Sequence, residues 1–195
     1  AEAAEGAAAP RGVLRLSLPS KFARLWISPW LPGFMAAHPL LRLETTHTDR
    51  FVDLVAEGFD AAVRIGELPD SGLVTRRLAP SVTALYASPG YLAAKGAPET
   101  PDDLKHHACL SFPIPTVWPN WRICRGAERV TVRVSGPLLS DDGETLVMAC
   151  TQRAGNLLAS DWLVGQELPD GRLVRALPEW LRGLDAAAQI GVPPG

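Results

Sequence analysis

The side chains in this chain that could do chemistry are better suited to holding a molecule than to transforming one. Its four histidines, His38, His47, His106 and His107, do not fall at matching strand ends, where an acid–base pair would have to converge. Cys109, Cys124 and Cys150 are widely and irregularly spaced. With no Cys-x-x-Cys pair, zinc and thioredoxin-like chemistry are not indicated, and buried thiols in a reducing cytoplasm are the expectation. No catalytic residue, metal site or cofactor is therefore predicted, and the chain is expected not to be an enzyme.

Binding is better provided for. Pro19, Ser20, Lys21 and Phe22 stand where a first strand gives way to a first helix. Ser20 and the amides beside it could hold a ligand carboxylate or hydroxyl, or could serve as a plain helix cap. Thr46 and Thr48 offer hydroxyls at the end of a second strand, with His47 between them read as a surface or packed histidine. Ile65 and Gly66 end a third strand; Ile65 could line a pocket and the glycine permits close backbone approach. Pro119, Asn120 and Trp121 set an amide and an indole beside a stiff proline, able to pin and stack a planar ligand. A core tryptophan behind a turn is the alternative there. Asp141, Asp142 and Glu144 crowd a helix start, where they complement its dipole. Arg64, Arg76 and Arg77 are possible anion partners, although surface arginines are common. Trp26, Trp30 and Phe34 are many aromatics for one short segment, and any left exposed would mark an oligomer contact.

The elements that must position these residues can be read from periodicity. Val13–Leu18, Leu41–Thr48, Asp60–Ile65, Val74–Leu78 and Val82–Ala87 read as strands. Between the first two lies a helical segment, Lys21 to Ala37, capped by Ser20 and kinked by Pro29 and Pro32. Asp49 is expected to cap a helix from Arg50 to Glu57, stopped by Gly58. Strand–helix–strand–helix–strand implies right-handed crossovers and a mostly parallel sheet. After Ser88 come short helices at 91–94 and 101–105, then strands at 109–112, 121–124 and 130–134. A helix from Asp141 to about Arg153, stopped by Gly155, precedes a strand at 156–159 and a short helix at 162–168. Strands at 173–177 and 187–190 close the pattern. Two α/β units in series, joined near 86–88 and 159–162, suggest two lobes with a cleft between them.

The chain has 195 residues, 47% apolar and 21% charged, with a net charge of −2, the profile of a globular protein. A stand-alone DNA-binding domain would be clearly basic. No apolar run is long enough to span a bilayer. Ala1 to Pro10 carries two acids and no basic region, so it reads as the end of an alanine-rich helix or linker rather than a secretory signal.

Several motifs, taken in order, carry a family likeness. They are Leu14-Arg-Leu-Ser-Leu-Pro-Ser20, Leu31-Pro-Gly-Phe34 with His38-Pro39, and the run from Asp49 to Gly72. Ala87-Ser-Pro-Gly-Tyr-Leu92, Cys109-Leu-Ser-Phe112, Asp142-Gly-Glu144 and Asp161-Trp-Leu-Val164 follow. From Val13 to about Trp180 the chain resembles the effector-binding domain of LysR-type transcriptional regulators. The resemblance implies an α/β fold of two Rossmann-like lobes with an interlobe cleft, like type 2 periplasmic binding proteins. On that plan residues 1–12 end a linker helix, 13–87 begin the first lobe, 88–160 form the second, and 161–195 return to the first.

It further implies a small organic effector, a carboxylate or an aromatic, held in the cleft by Pro19, Ser20, Lys21, Phe22, Thr46, Thr48, Ile65, Gly66, Pro119, Asn120 and Trp121. It implies a homo-oligomer, dimer or tetramer, in which the first-lobe helix bearing Trp26, Trp30 and Phe34 meets a neighbour. Operator DNA would be reached only through an N-terminal winged helix-turn-helix not contained in this chain, in the cytoplasm and away from any membrane. Two departures stand out: Gln152-Arg-Ala-Gly-Asn156 replaces the family's Gly-x-Gly turn, and a further C-terminal helix is missing or lies beyond Gly195. A solute-binding protein of a transport system is the alternative on the same cleft physics. It would carry a signal peptide or lipoprotein cysteine upstream, and neither is visible in Ala1–Pro10.

Overall fold

A computed structural model describes residues 9–50, 52–65, 74–182 and 187–193. The chain forms two compact units, one running up to Ala79 and resuming at Ala187, the other spanning Pro80 to Ala186. The passages therefore fall at 79/80 and 186/187, not at 87/88 and 160/161 as the sequence suggested. The packing explains the later return: Leu163, Val164 and Leu173 are buried in the core of the second unit.

The first unit is built on a five-stranded sheet ordered β2-β1-β3-β11-β4. Its strands are β1 (Gly12–Leu18), β2 (Leu41–His47), β3 (Ala61–Ile65), β4 (Val74–Pro80) and β11 (Ala187–Val192). β1 runs parallel to β2 and β3, as crossovers demand, whereas β11 enters antiparallel to β3. The sheet is therefore mixed. Between β1 and β2 the helical segment is one irregular run. It comprises α1 (Ser20–Phe22), a π-type turn at Ala23–Ile27, a 3₁₀ turn at Ser28–Trp30, and α2 (Leu31–Ala37). Pro29 and Pro32 lack amide hydrogens, and the regular α ladder gives way around them without the chain leaving helical space. Among the described residues, Leu18, Ala23 and Val63 form a core cluster of this unit, with Leu16, Phe22, Ile27 and Ile190 against them.

Two caps differ from expectation. Pro19 precedes the first helical residue, so Ser20 begins α1 and makes no side-chain cap. Asp53, not Asp49, caps the next helix, accepting from the Ala56 amide at 3.0 Å, and this shortens α3 to Leu54–Glu57. Gly58 does end it, in the left-handed region at φ 71°.

The second unit carries a four-stranded sheet ordered β10-β5-β9-β6, with β5 (Thr83–Ala87), β6 (Cys109–Leu110), β9 (Asn156–Ser160) and β10 (Val174–Arg175). β5 and β9 pair antiparallel, β6 and β9 parallel. Alternation puts Leu85, Ala87 and Leu158 on one face and Ala84, Tyr86, Leu157 and Ala159 on the other. Both faces are buried. The hairpin of β7 (Asn120–Arg125) and β8 (Glu128–Arg133) helps cover the first with Trp121, Ile123 and Val132. Helix α5 (Gly143–Thr151) covers the second with Leu146, Val147 and Cys150. Helix α4 (Pro89–Lys95) and a 3₁₀ turn at Pro101–His106 occupy the expected positions, while residues 162–168 form turns rather than a helix.

The departure at 152–156 is accommodated locally. Helix α5 ends at Thr151, and Arg153 takes the left-handed conformation at φ 69°. Gly155 then passes so close to the neighbouring strand that a Cβ there would lie 2.5 Å from the Ala108 carbonyl oxygen.

Candidate ligand-binding site

In the first unit the residues singled out from the sequence gather around the C-terminal end of β1. Ser17, Leu18 and Pro19 are buried, and Ser20, Lys21 and Phe22 are half-buried. The amide of Ser20 donates to Asp49 Oδ1 at 3.2 Å. The first free amide of the helical run thus already faces a carboxylate of the chain itself. Thr46 is exposed and Thr48 half-buried. Thr48 Oγ1 accepts from the Arg50 amide at 3.3 Å, and its own amide donates to the Leu18 carbonyl at 2.8 Å. Ile65 is half-buried opposite Ala188, while Gly66 lies outside the described residues.

Beneath this rim lies Arg64, 6% exposed. Its Nη2 donates to Ser17 Oγ at 2.8 Å and to the Arg50 carbonyl at 3.1 Å. Its Nη1 donates to the carbonyls of Val63 at 2.6 Å and Ser17 at 3.4 Å. Burial pushes its pKa down, assisted by Arg50 and opposed by Asp49 and Glu57. Read from the sequence as a possible anion partner, Arg64 instead clamps β1, β3 and the loop after β2 through their backbone oxygens. Its setting in Ala61-Ala-Val-Arg-Ile65 carries the signal, because a charge inside an apolar strand must find polar partners. Arg50 is engaged with Glu57; that contact lowers the pKa of the carboxyl and raises that of the guanidinium.

In the second unit Pro119 is half-buried, Asn120 exposed and Trp121 fully buried. Trp121 packs in the core, with its Nε1 donating to Ser111 Oγ at 3.4 Å. An indole so enclosed cannot stack on an incoming ligand, and the core alternative is the correct one. Asn120 remains available on β7. Asp142 caps α5, accepting from the Glu144 amide at 3.3 Å and the Thr145 amide at 3.0 Å. Arg76 and Arg77 lie on exposed β4.

The thiols of Cys109 and Cys150 are buried, which pushes both up to about 12 and leaves them protonated at neutral pH. His107 Nδ1 sits 3.1 Å from Tyr91 Oη, which also accepts from the Ala108 amide at 3.0 Å. Among the described residues no group of three His, Cys, Asp or Glu side chains is placed to hold a metal. What the arrangement offers is hydrogen bonding: hydroxyls and amides at strand ends, on a frame fixed by buried polar contacts.

Residues 7–192 match the family described as the LysR substrate binding domain. The chain belongs to that family. Within it, the chain is 35% identical over 170 residues to an uncharacterized HTH-type transcriptional regulator of Haemophilus influenzae, matching 87% of this chain and 59% of that protein. It is 35% identical over 176 residues to the HTH-type transcriptional regulator DmlR of Escherichia coli, matching 88% of this chain and 56% of DmlR. The chain thus spans well under two thirds of these relatives. The regulatory domain of CrgA from Neisseria meningitidis superposes with a TM-score of 0.82 at 29% identity, over 94% of this chain and 90% of that domain. The fold is that of LysR-type regulatory domains, and no described helix is long and apolar enough to cross a membrane.

Proposed function

We propose that this chain is the effector-sensing domain of a LysR-type transcriptional regulator, and that it binds a small organic acid or aromatic without transforming it. The observation that carries this reading is the family match along residues 7–192, with HTH-type transcriptional regulators as relatives that extend well beyond the matched segment. DNA contact would belong to a helix-turn-helix outside this chain, and the protein would act in the cytoplasm. Ser20, Thr46, Thr48 and Asn120 supply the accessible polar groups for the ligand, with Ile65 and Phe22 as apolar lining. Binding would bias the geometry between units or between subunits, and so the placement of the DNA-binding domains.

A homo-oligomer is part of the proposal. Trp30 is 77% exposed, and Trp26, Phe34 and Met35 are exposed on the same helical run, an apolar area suited to a second copy of the chain. The names of the relatives favour the regulator over a transport protein of the same fold.

The test is a titration of the chain with a broad panel of organic acids and aromatics, read by tryptophan fluorescence and thermal shift. Saturable binding without turnover of the bound compound is expected. Silence across the panel, or conversion of a bound compound, would overturn the proposal.

A further inference from the structure

Arg182 is a half-buried arginine in the second unit that has no acidic partner among the described residues. Neither it nor the exposed Arg122 makes a side-chain hydrogen bond or ion pair among the described residues. Two arginines of the unit are engaged with acids: Arg125 pairs with Glu128 at 3.0 Å and Glu179 at 3.2 Å, and Arg172 with Asp170 at 3.3 Å. The placement of Arg182 is fixed by the backbone. Leu181 bridges to Ala84 on one side and to Cys124 on the other, and the Arg182 amide donates to the Thr83 carbonyl at 2.8 Å. Thr83 is in register with Ser160, and their hydroxyls lie 3.2 Å apart. Arg182, Thr83 and Ser160 thus form one row across three adjacent segments.

This row stands near both ends of the unit, where the chain enters at Pro80 and leaves after Ala186. Asp161, next to Ser160, is occupied: its Oδ1 accepts from the amides of Trp162 at 2.9 Å and Val82 at 3.3 Å. The pKa of Arg182 is pushed down, first by burial and then by the like charge of Arg122. A desolvated guanidinium with a second cation nearby, two hydroxyls in the same row and no carboxylate partner among the described residues gains most from a small oxyanion. Such a group accepts two parallel N–H bonds and offsets the repulsion.

We propose that Arg182, supported by Arg122 and the hydroxyls of Thr83 and Ser160, is an anion-recognition point that takes the carboxylate or phosphate group of the effector. This rests on the reading of the chain as an effector-binding domain and narrows the effector class to anions.

The experiment is an NMR titration of the chain, following arginine side-chain and backbone signals, with acetate, succinate and inorganic phosphate at millimolar concentration. Succinamide serves as the neutral control. Shifts at Arg182, Thr83 and Ser160 with the anions, absent with succinamide, are expected. Whichever anion gives the tightest response identifies the head group. Arg182→Gln should weaken that response about tenfold or more. Arg182→Lys, which keeps the charge, should weaken it less, and Arg125→Gln should leave it unchanged. Anion shifts that avoid Arg182, or survive Arg182→Gln in full, would overturn the proposal, as would no anion response at all. Saturable binding of a neutral compound from the wider panel in any of these cases would leave the effector-binding reading intact, whereas silence there as well would sink both.

Discussion

The carboxylate of Asp49 rests on the backbone amide of Ser20, 3.2 Å away and 29 residues distant in the chain. It joins the loop after β2 to the start of the helical run after β1, and it supplies the cap that Ser20 does not provide for itself. Asp49→Ala should therefore cost about 1 kcal/mol, the usual magnitude for a lost cap. Asp49→Asn, which keeps an acceptor, should cost less. Urea unfolding of the two variants measures the difference, and equal stability of Asp49→Ala and the parent would show that the contact does not cap.

Arg64 makes a stronger prediction, because its removal takes away the donors it supplies to Ser17 Oγ and to the carbonyls of Ser17, Arg50 and Val63. Arg64→Met should destabilise the chain by about 3 kcal/mol. Arg64→Lys should fall between it and the parent, since an ammonium cannot span oxygens from two strands and a loop. Denaturant midpoints order the three proteins. Hydrogen exchange in β1 and β3 should rise in Arg64→Met before exchange in β5 and β9 does.

His107 and Tyr91 form a pair whose protonation is fixed by its neighbours. The Ala108 amide donates to Tyr91 Oη, so the phenol proton is free to go to His107 Nδ1, which must then be unprotonated. Burial is the main cause that pushes the His107 pKa below its ordinary 6.5, against the pull of Asp103. A base whose folded pKa is depressed gives stability that is present above the unfolded value and lost as pH falls through the folded one. Acidification below about pH 6.5 should therefore cost stability through His107, and Tyr91→Phe should change that part of the pH profile. Stability measured from pH 8 to 5 in both proteins decides it; parallel profiles would count against the pairing.

Cys109 and Cys150 carry the opposite sign. Both thiols are raised by burial to about 12, so the folded chain favours their protonated forms. Their contribution is complete below the unfolded value near 9 and declines as pH rises toward 12. At neutral pH iodoacetamide should modify half-buried Cys124 well before either of them, as peptide mass spectrometry can show. Early labelling of Cys109 or Cys150 would mean that the second unit opens readily.

Much of this frame was legible from pattern alone, for reasons seen in particular elements. The strands followed from alternation, β1 and β5 within a residue at their ends, because a face that packs must repeat every second residue. The misplaced cap shows where pattern stops. Asp49 and Asp53 are equally able to cap by type, and only the distant amide of Ser20 decides that Asp49 is engaged elsewhere. Trp121 was open to two readings, yet the alternation of Trp121, Arg122 and Ile123 already pointed the indole inward with Ile123. Arg182 lies in no periodic element, and nothing in sequence sets it beside Thr83; that pairing comes from the bridge at Leu181.

The exposed aromatics lead to the last expectation. Trp30 and Phe34 are four residues apart on a continuous helical run, so they share a face, and Met35 extends it. Apolar area of this kind on a stable protein is normally covered by a partner. Trp30→Glu with Phe34→Glu should shift the chain toward monomer in light scattering behind size exclusion. The double variant should cost little stability in the monomer, because neither side chain belongs to the described core of the first unit. A parent chain that is monomeric at high concentration, or a double variant with unchanged mass, would assign those aromatics to some other contact.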